Sequence, residues 1–173
     1  MTPEALLAHV TAHVAGATAL PLDDMRGQAV VRVERTHLEA ALRFLRDDAP
    51  TACDLLADLT AVDYLGRPPR FEVVYQLKSL RHGHRLRVKV LVDESDLEVP
   101  TAAGLWRSAL WAEREVWDMF GIRFAGHPDL RRILMYPTFE GHPLRKDYAL
   151  DGRQPLVPER DPIAQPWFPE QRS

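Results

Sequence analysis

Two short blocks hold most of the residues of this 173-residue chain whose types and spacing suggest chemistry. The first is Glu113-Arg114-Glu115-Val116-Trp117-Asp118-Met119-Phe120-Gly121, continued by Gly126-His127-Pro128-Asp129-Leu130-Arg131-Arg132; the second is Gly141-His142-Pro143-Leu144-Arg145-Lys146-Asp147-Tyr148. Three chemistries are open to such a set. Glu113 or Glu115 with His127 or His142 has the composition of a general acid/base pair. His127, Asp129, His142 and Asp147 are metal-ligand types, although their spacing matches no compact ligand pattern. The third possibility is an ion-pair and hydrogen-bond network that fixes an irregular segment against a helix and against another chain. Trp111, Trp117, Phe120, Phe124 and Phe139 lie among these charges. A solvated charged surface does not account for that mixture, because ions beside large apolar groups must be met by partners or stay neutral.

The elements that must position these blocks follow from periodicity. Thr2 and Pro3 open a helix with Leu6, Leu7, Val10 and Val14 inward. A short strand is expected near Ala19, and Gln28–Glu34 alternates as a strand. Thr36-His37-Leu38-Glu39 has the form of a capping box before a second helix carrying Leu38, Ala41, Leu42 and Leu45. Cys53–Tyr64 is ambiguous and is read as a helical turn running into a strand. Phe71, Val73, Tyr75 and Leu77, then Leu86, Val88, Val90 and Val92, form a hairpin about Arg81-His82-Gly83-His84. A third helix is expected over Thr101–Met119, with Trp106, Leu110, Glu113 and Trp117 on one face. Glu113 then sits in an apolar stripe, and Arg131, Arg132 or Arg145 are its candidate partners unless N–H groups or a proton satisfy it. A short helical piece is expected at Asp129–Met135.

The fold class is therefore α+β: a two-layer mixed sheet with helices on one face, in the order α-β-β-α-β-β-β, then a helix and an extended C-terminal segment. Residues 1–150 form one domain. Residues 151–173 are an extended tail, since Pro155, Pro158, Pro162, Pro166 and Pro169 exclude regular structure, and Trp167-Phe168 near its end suits a segment laid along a partner.

Composition narrows the function. A net charge of −3 gives no electrostatic case for nucleic acid. No apolar run is long enough to span a membrane. Met1-Thr2-Pro3-Glu4 carries an acid where a secretory peptide carries a base, which points to the cytoplasm. The lone Cys53 excludes an internal disulfide, a Cys-rich zinc site and a cysteine-ligated cluster within the chain. Gly66-Arg67-Pro68-Pro69 is a turn, not a phosphate loop, and there is neither a dinucleotide fingerprint nor a nucleophile elbow.

The two blocks closely resemble the C subunit (30 kDa subunit) of proton-pumping NADH–quinone oxidoreductase, respiratory complex I. Glu113-Arg114-Glu115, Asp118, Met119-Phe120, His127, Arg131 and Ile133-Leu134 match the family pattern, as does Gly141–Tyr148. Asp58-Leu59-Thr60-Ala61-Val62-Asp63 and Phe71-Glu72-Val73-Val74-Tyr75 are similar to family sequence, so the resemblance runs from about Val30 to Tyr148. Ala149 stands where the family often has proline, and Ser108–Ala112 departs from the usual lead-in. The resemblance implies a structural, non-redox member of the peripheral arm with no catalytic, cofactor or metal site of its own. FMN, iron–sulfur clusters and quinone would lie in partner chains, with the D and B subunits of complex I as neighbours. The chain would sit on the cytoplasmic side of the bacterial inner membrane and touch it only through the complex. Glu113, Arg114, Glu115, Asp118, His127, Arg131, Arg132, His142, Arg145, Lys146 and Asp147 would form the network. The alternative is the equivalent component of a membrane-bound hydrogenase or another quinone-linked dehydrogenase.

Overall fold

Strand pairing organises the molecule. In the computed structural model, which describes residues 1–22, 27–149 and 151–155, five strands form a mixed sheet in the order β1-β2-β5-β4-β3. These are β1 (Ala17–Ala19), β2 (Ala29–Val33), β3 (Leu55–Asp63), β4 (Phe71–Lys78) and β5 (Arg85–Val92). β2 and β5 run parallel; the other neighbours are antiparallel. Strand alternation places Val31, Val88, Tyr75 and Leu59 side by side on one face.

That face is covered by helices. α1 (Pro3–His13) is capped by the Thr2 hydroxyl and buries Leu6, Leu7 and Val10. α2 (Leu38–Asp47) buries Leu38, Ala41, Leu42 and Leu45. Both join the inward strand residues in a single apolar cluster with Ala109, Val116, Met119 and Phe120 of α3 (Ala109–Phe120). The expected α+β class and the order α-β-β-α-β-β-β are observed.

Several local expectations are corrected. Cys53–Tyr64 contains no helical turn. Its helix-like spacing of Leu56 and Leu59 comes from a register shift between Leu56 and Asp58, which turns both side chains inward from a strand. The capping box does not form. A single 3₁₀ turn at Arg35–His37 precedes α2, which has no side-chain cap. Arg35 holds this entry from outside by donating to the Asp96 and Glu98 carbonyls, each at 3.0 Å. The third helix starts at Ala109, not Thr101. Residues ahead of it are drawn elsewhere: the Trp106 indole N–H donates to the Cys53 carbonyl at 3.1 Å and the Ser108 hydroxyl to Leu56 at 2.9 Å. Its buried face is Ala109, Glu113, Val116 and Phe120; Leu110 and Trp117 are only half-buried.

A second, two-stranded parallel sheet was not anticipated. β6 (Glu98–Pro100) and β7 (Arg123–Ala125) pair on either side of α3, with Val99 opposite Phe124. Asp129–Met135 is not helical. The expected tail lies mostly outside the described residues; 151–155 contains no helix or strand.

Candidate interaction site

The site is assembled around the C-terminal end of α3. A helix ends with carbonyls that have no partner in their own helix, and a dipole that favours positive charge there. Here residues distant in sequence meet those carbonyls. Gly121 turns the chain with φ +81°, and its N–H bonds Trp117. The His142 imidazole donates through Nδ1 to the Asp118 carbonyl at 3.0 Å, the Leu144 N–H to Met119 at 3.1 Å, and Arg145 Nε to Phe120 at 2.6 Å. Glycine at 121 is required twice. Only glycine takes that φ without strain, and a Cβ would lie 2.7 Å from the His142 ring.

Asp118 organises the next segment. Its carboxylate is fully buried and accepts the N–H groups of Ile133, Leu134 and Met135 at 3.0, 2.9 and 2.9 Å. Arg132 Nη1 completes the shell at 2.5 Å. Burial alone pushes this carboxyl up; the Met135, Arg132, Leu134 and Ile133 donors outweigh it and hold it below the usual range. Three consecutive amides turned to one anion cannot also serve an i−4 ladder. That is why the piece expected to be helical wraps around Asp118 instead. Arg132 also donates to the Gly141 carbonyl at 3.0 Å and lies over the Trp117 and Phe139 rings. Arg114 adds a second tie from α3, donating to the Arg131 and Arg132 carbonyls, both at 2.9 Å.

The second block is tied to the sheet through a residue that lies outside both motifs. Arg70, 5% exposed, grips Asp63 through Nε and Nη2 at 2.9 and 2.8 Å. The same guanidinium holds Asp147 at 2.9 and 2.7 Å and Glu94 at 2.5 Å. Asp63 also accepts the Lys146 N–H at 2.8 Å. Arg70 lowers the carboxyl pKa values of both Asp63 and Asp147, and they raise its own. Strand parity carries the missed signal: Asp63 falls in phase with inward Leu59 and Ala61, so a buried acid there required a cation.

Glu113 lies apart from this network. None of its three candidate arginines meets it, and the alternative of N–H donors holds: Arg132 goes to Asp118, Arg145 to Phe120 and Arg131 to exposed Asp129 at 2.7 Å. Its partners are the Thr101 hydroxyl at 2.5 Å and the Ala102 N–H at 2.6 Å. With no cation to offset it, burial pushes its pKa up to about 7 against those two donors. It thereby fastens the loop between β6 and α3. The Tyr75 phenol, fully buried and without a hydrogen-bond partner among the described residues, is raised mainly by its own burial and further by the Glu113 charge.

His127 is held in one tautomer, donating through Nε2 to the Leu110 carbonyl at 3.1 Å and accepting the Asp129 N–H at Nδ1, 3.0 Å. Glu115 and Lys146 are exposed, and neither side chain makes a hydrogen bond or ion pair among the described residues. The candidate acid/base pairs are not assembled: His127 and His142 both engage backbone carbonyls, and neither contacts Glu113 or Glu115. Among the described residues no group of three or more His, Cys, Asp or Glu side chains is placed to hold a metal ion. Cys53 is buried, which pushes its thiol up to about 12.

Known proteins share this arrangement of sequence and fold. Residues 31–154 match the family described as the respiratory-chain NADH dehydrogenase, 30 Kd subunit. The chain is 48% identical over 143 residues to the C subunit of NADH-quinone oxidoreductase from Citrifermentans bemidjiense, covering 83% of this chain and 84% of that protein. A trypsin-resistant fragment of Nqo5 superposes with a TM-score of 0.62 at 37% identity, covering 75% of this chain and all of the fragment. A chain of the membrane-bound sulfane sulfur reductase, an archaeal respiratory membrane complex, shares the fold with a TM-score of 0.72 at 24% identity over 87% of each chain. The chain belongs to the family of the 30 kDa subunit of respiratory-chain NADH dehydrogenase.

Proposed function

We propose that this chain is a non-redox, positioning component of the peripheral arm of NADH–quinone oxidoreductase. It packs against the quinone-site D subunit and lies near the cluster-bearing B subunit. FMN, iron–sulfur clusters and quinone belong to those and other partner chains. Residues 1–150 form the working domain; the tail expected over 151–173 lies mostly outside the described residues. The complex sits on the cytoplasmic side of the bacterial inner membrane; no helix among the described residues is long and apolar enough to cross one.

The observation that carries this reading is the employment of the charged groups. Asp118, Arg114, Arg132, His142, Arg145 and Asp147 spend their hydrogen-bonding capacity on fixing residues 126–148 to α3 and the sheet. A group committed to a structural partner is poorly placed to move a substrate's protons. A rigid outer wall is what a neighbouring redox chain needs, because small displacements of reacting groups cost large factors in rate.

The test is affinity recovery of the tagged chain from solubilised membranes, with bound chains and cofactors identified. A flavin-containing, NADH-oxidising assembly is expected, and Glu113→Ala is expected to lower its yield. Nickel in the recovered partner in place of flavin would assign the chain to a hydrogenase instead. Turnover by the isolated chain would rule out a purely positioning role.

A further inference from the structure

The sheet face opposite the helices carries charges that the network leaves unused. Strand register sets Arg32 of β2 across from Lys89 of β5, and Lys78 of β4 across from Arg85 of β5. Like charges directly opposite on neighbouring strands repel one another and weaken a sheet. Arg87, on the same side of β5, reaches only the Gln76 carboxamide, at 3.2 Å. Lys89 alone of these five meets a carboxylate, Glu72 at 2.8 Å. The other four make no ion pair among the described residues. A chain whose net charge is −3 thus presents one face with a local excess of cations.

We infer that this sheet face, on which Arg32 and Arg85 are exposed and Lys78 and Arg87 half-buried, docks a carboxylate-bearing surface of a neighbouring protein chain; the inference rests on the complex membership proposed above. An acidic partner would turn the Arg32–Lys89 and Lys78–Arg85 repulsions into bridged contacts. Protein carboxylates fit better than phosphates. The amides of the central strands are consumed in the ladder, so no backbone nest is free to cradle a phosphate. Asp58, exposed on the same face, would be repelled by a uniformly anionic membrane, whereas a mixed protein surface can match it. Leu55, 37% exposed, and half-buried Val62 and Leu91 supply apolar contact between the charges.

A carbodiimide that joins amines directly to carboxylates, applied to the intact complex in detergent and followed by peptide mapping, tests the proposal. Lys78 is expected to be linked to an Asp or Glu of another chain. The double variant Arg32→Glu/Arg87→Glu is expected to enter the complex at least about tenfold less well. Its free chain should melt within a few degrees of wild type, because Arg32→Glu relieves the repulsion from Lys89 while Arg87→Glu gives up only one hydrogen bond, to Gln76. Equal amine labelling of Lys78 in the free chain and in the complex, together with normal incorporation of the double variant, would overturn the inference. If the wild-type chain is still recovered in its complex, that result removes only this interface; if wild type joins no complex, the proposed function falls with it.

Discussion

The sheet-and-helix body and the segment after β7 are held together by different physics. In the first, apolar side chains from three helices and six strands meet in one cluster. In the second, from Gly126 to Ala149, no residue is buried. That stretch has no core of its own. It keeps one conformation because buried charges in the body, Asp118 and the Asp63–Arg70 pair, reach out to its backbone and to Asp147. Ions do there what leucines and valines do elsewhere. They do it directionally, which suits a surface that must present fixed geometry to another chain.

Breaking the ionic half should leave the apolar half standing. The largest effect is expected for Arg70→Met, which strands the buried Asp63 carboxylate and frees Asp147. A loss of about 3–5 kcal/mol is expected in chemical denaturation. Hydrogen exchange should show residues 142–148 unprotected while β4 and β5 stay protected. Asp118→Asn keeps the size of the side chain but removes the anion shared by three amides and Arg132. It should lower stability by about 2–3 kcal/mol, with proteolysis appearing first around 131–136.

Glu113 sharpens the comparison, since it is an ion-forming group inside the apolar half. Its folded pKa, about 7, lies above the ordinary 4.5. The folded state therefore binds the proton more tightly. The associated stability is complete below about pH 4.5 and is lost as pH rises through 7. Denaturation midpoints across pH 5–8 should fall for wild type by the equivalent of roughly 3 kcal/mol. Glu113→Gln, which keeps a neutral group between Thr101 and Ala102, should flatten that slope. Gly121→Ala is expected to cost about 1–3 kcal/mol from its positive φ and the crowding of His142. Smallest is Glu115→Ala, an exposed residue with no described partner, at within about 0.5 kcal/mol.

The same division explains what was legible in the sequence. Alternation identified β4 and β5, and helical spacing identified α1 and α2, because each buries one regular face. β3 is only partly legible, since a bulge gives a strand the leucine spacing of a helix. The irregular segment has no period to read. Its charges are visible, but not their pairing: of the partners open to Glu113, an arginine, N–H donors or a proton, the arginines do not meet it, and it binds the Thr101 hydroxyl and the Ala102 amide. Arg70, the hub, stands alone between a proline turn and a strand, outside both motif blocks, and only the inward phase of Asp63 pointed to it.

On this reading the charged network holds a shared geometry and does no chemistry. That role is tested most directly by placing Arg70→Met in the assembled oxidoreductase and measuring two quantities: complex recovered per cell, and NADH–quinone reductase turnover per recovered complex. A clear fall in recovery is expected, with turnover unchanged in what does assemble. Normal recovery with turnover reduced tenfold or more would contradict it.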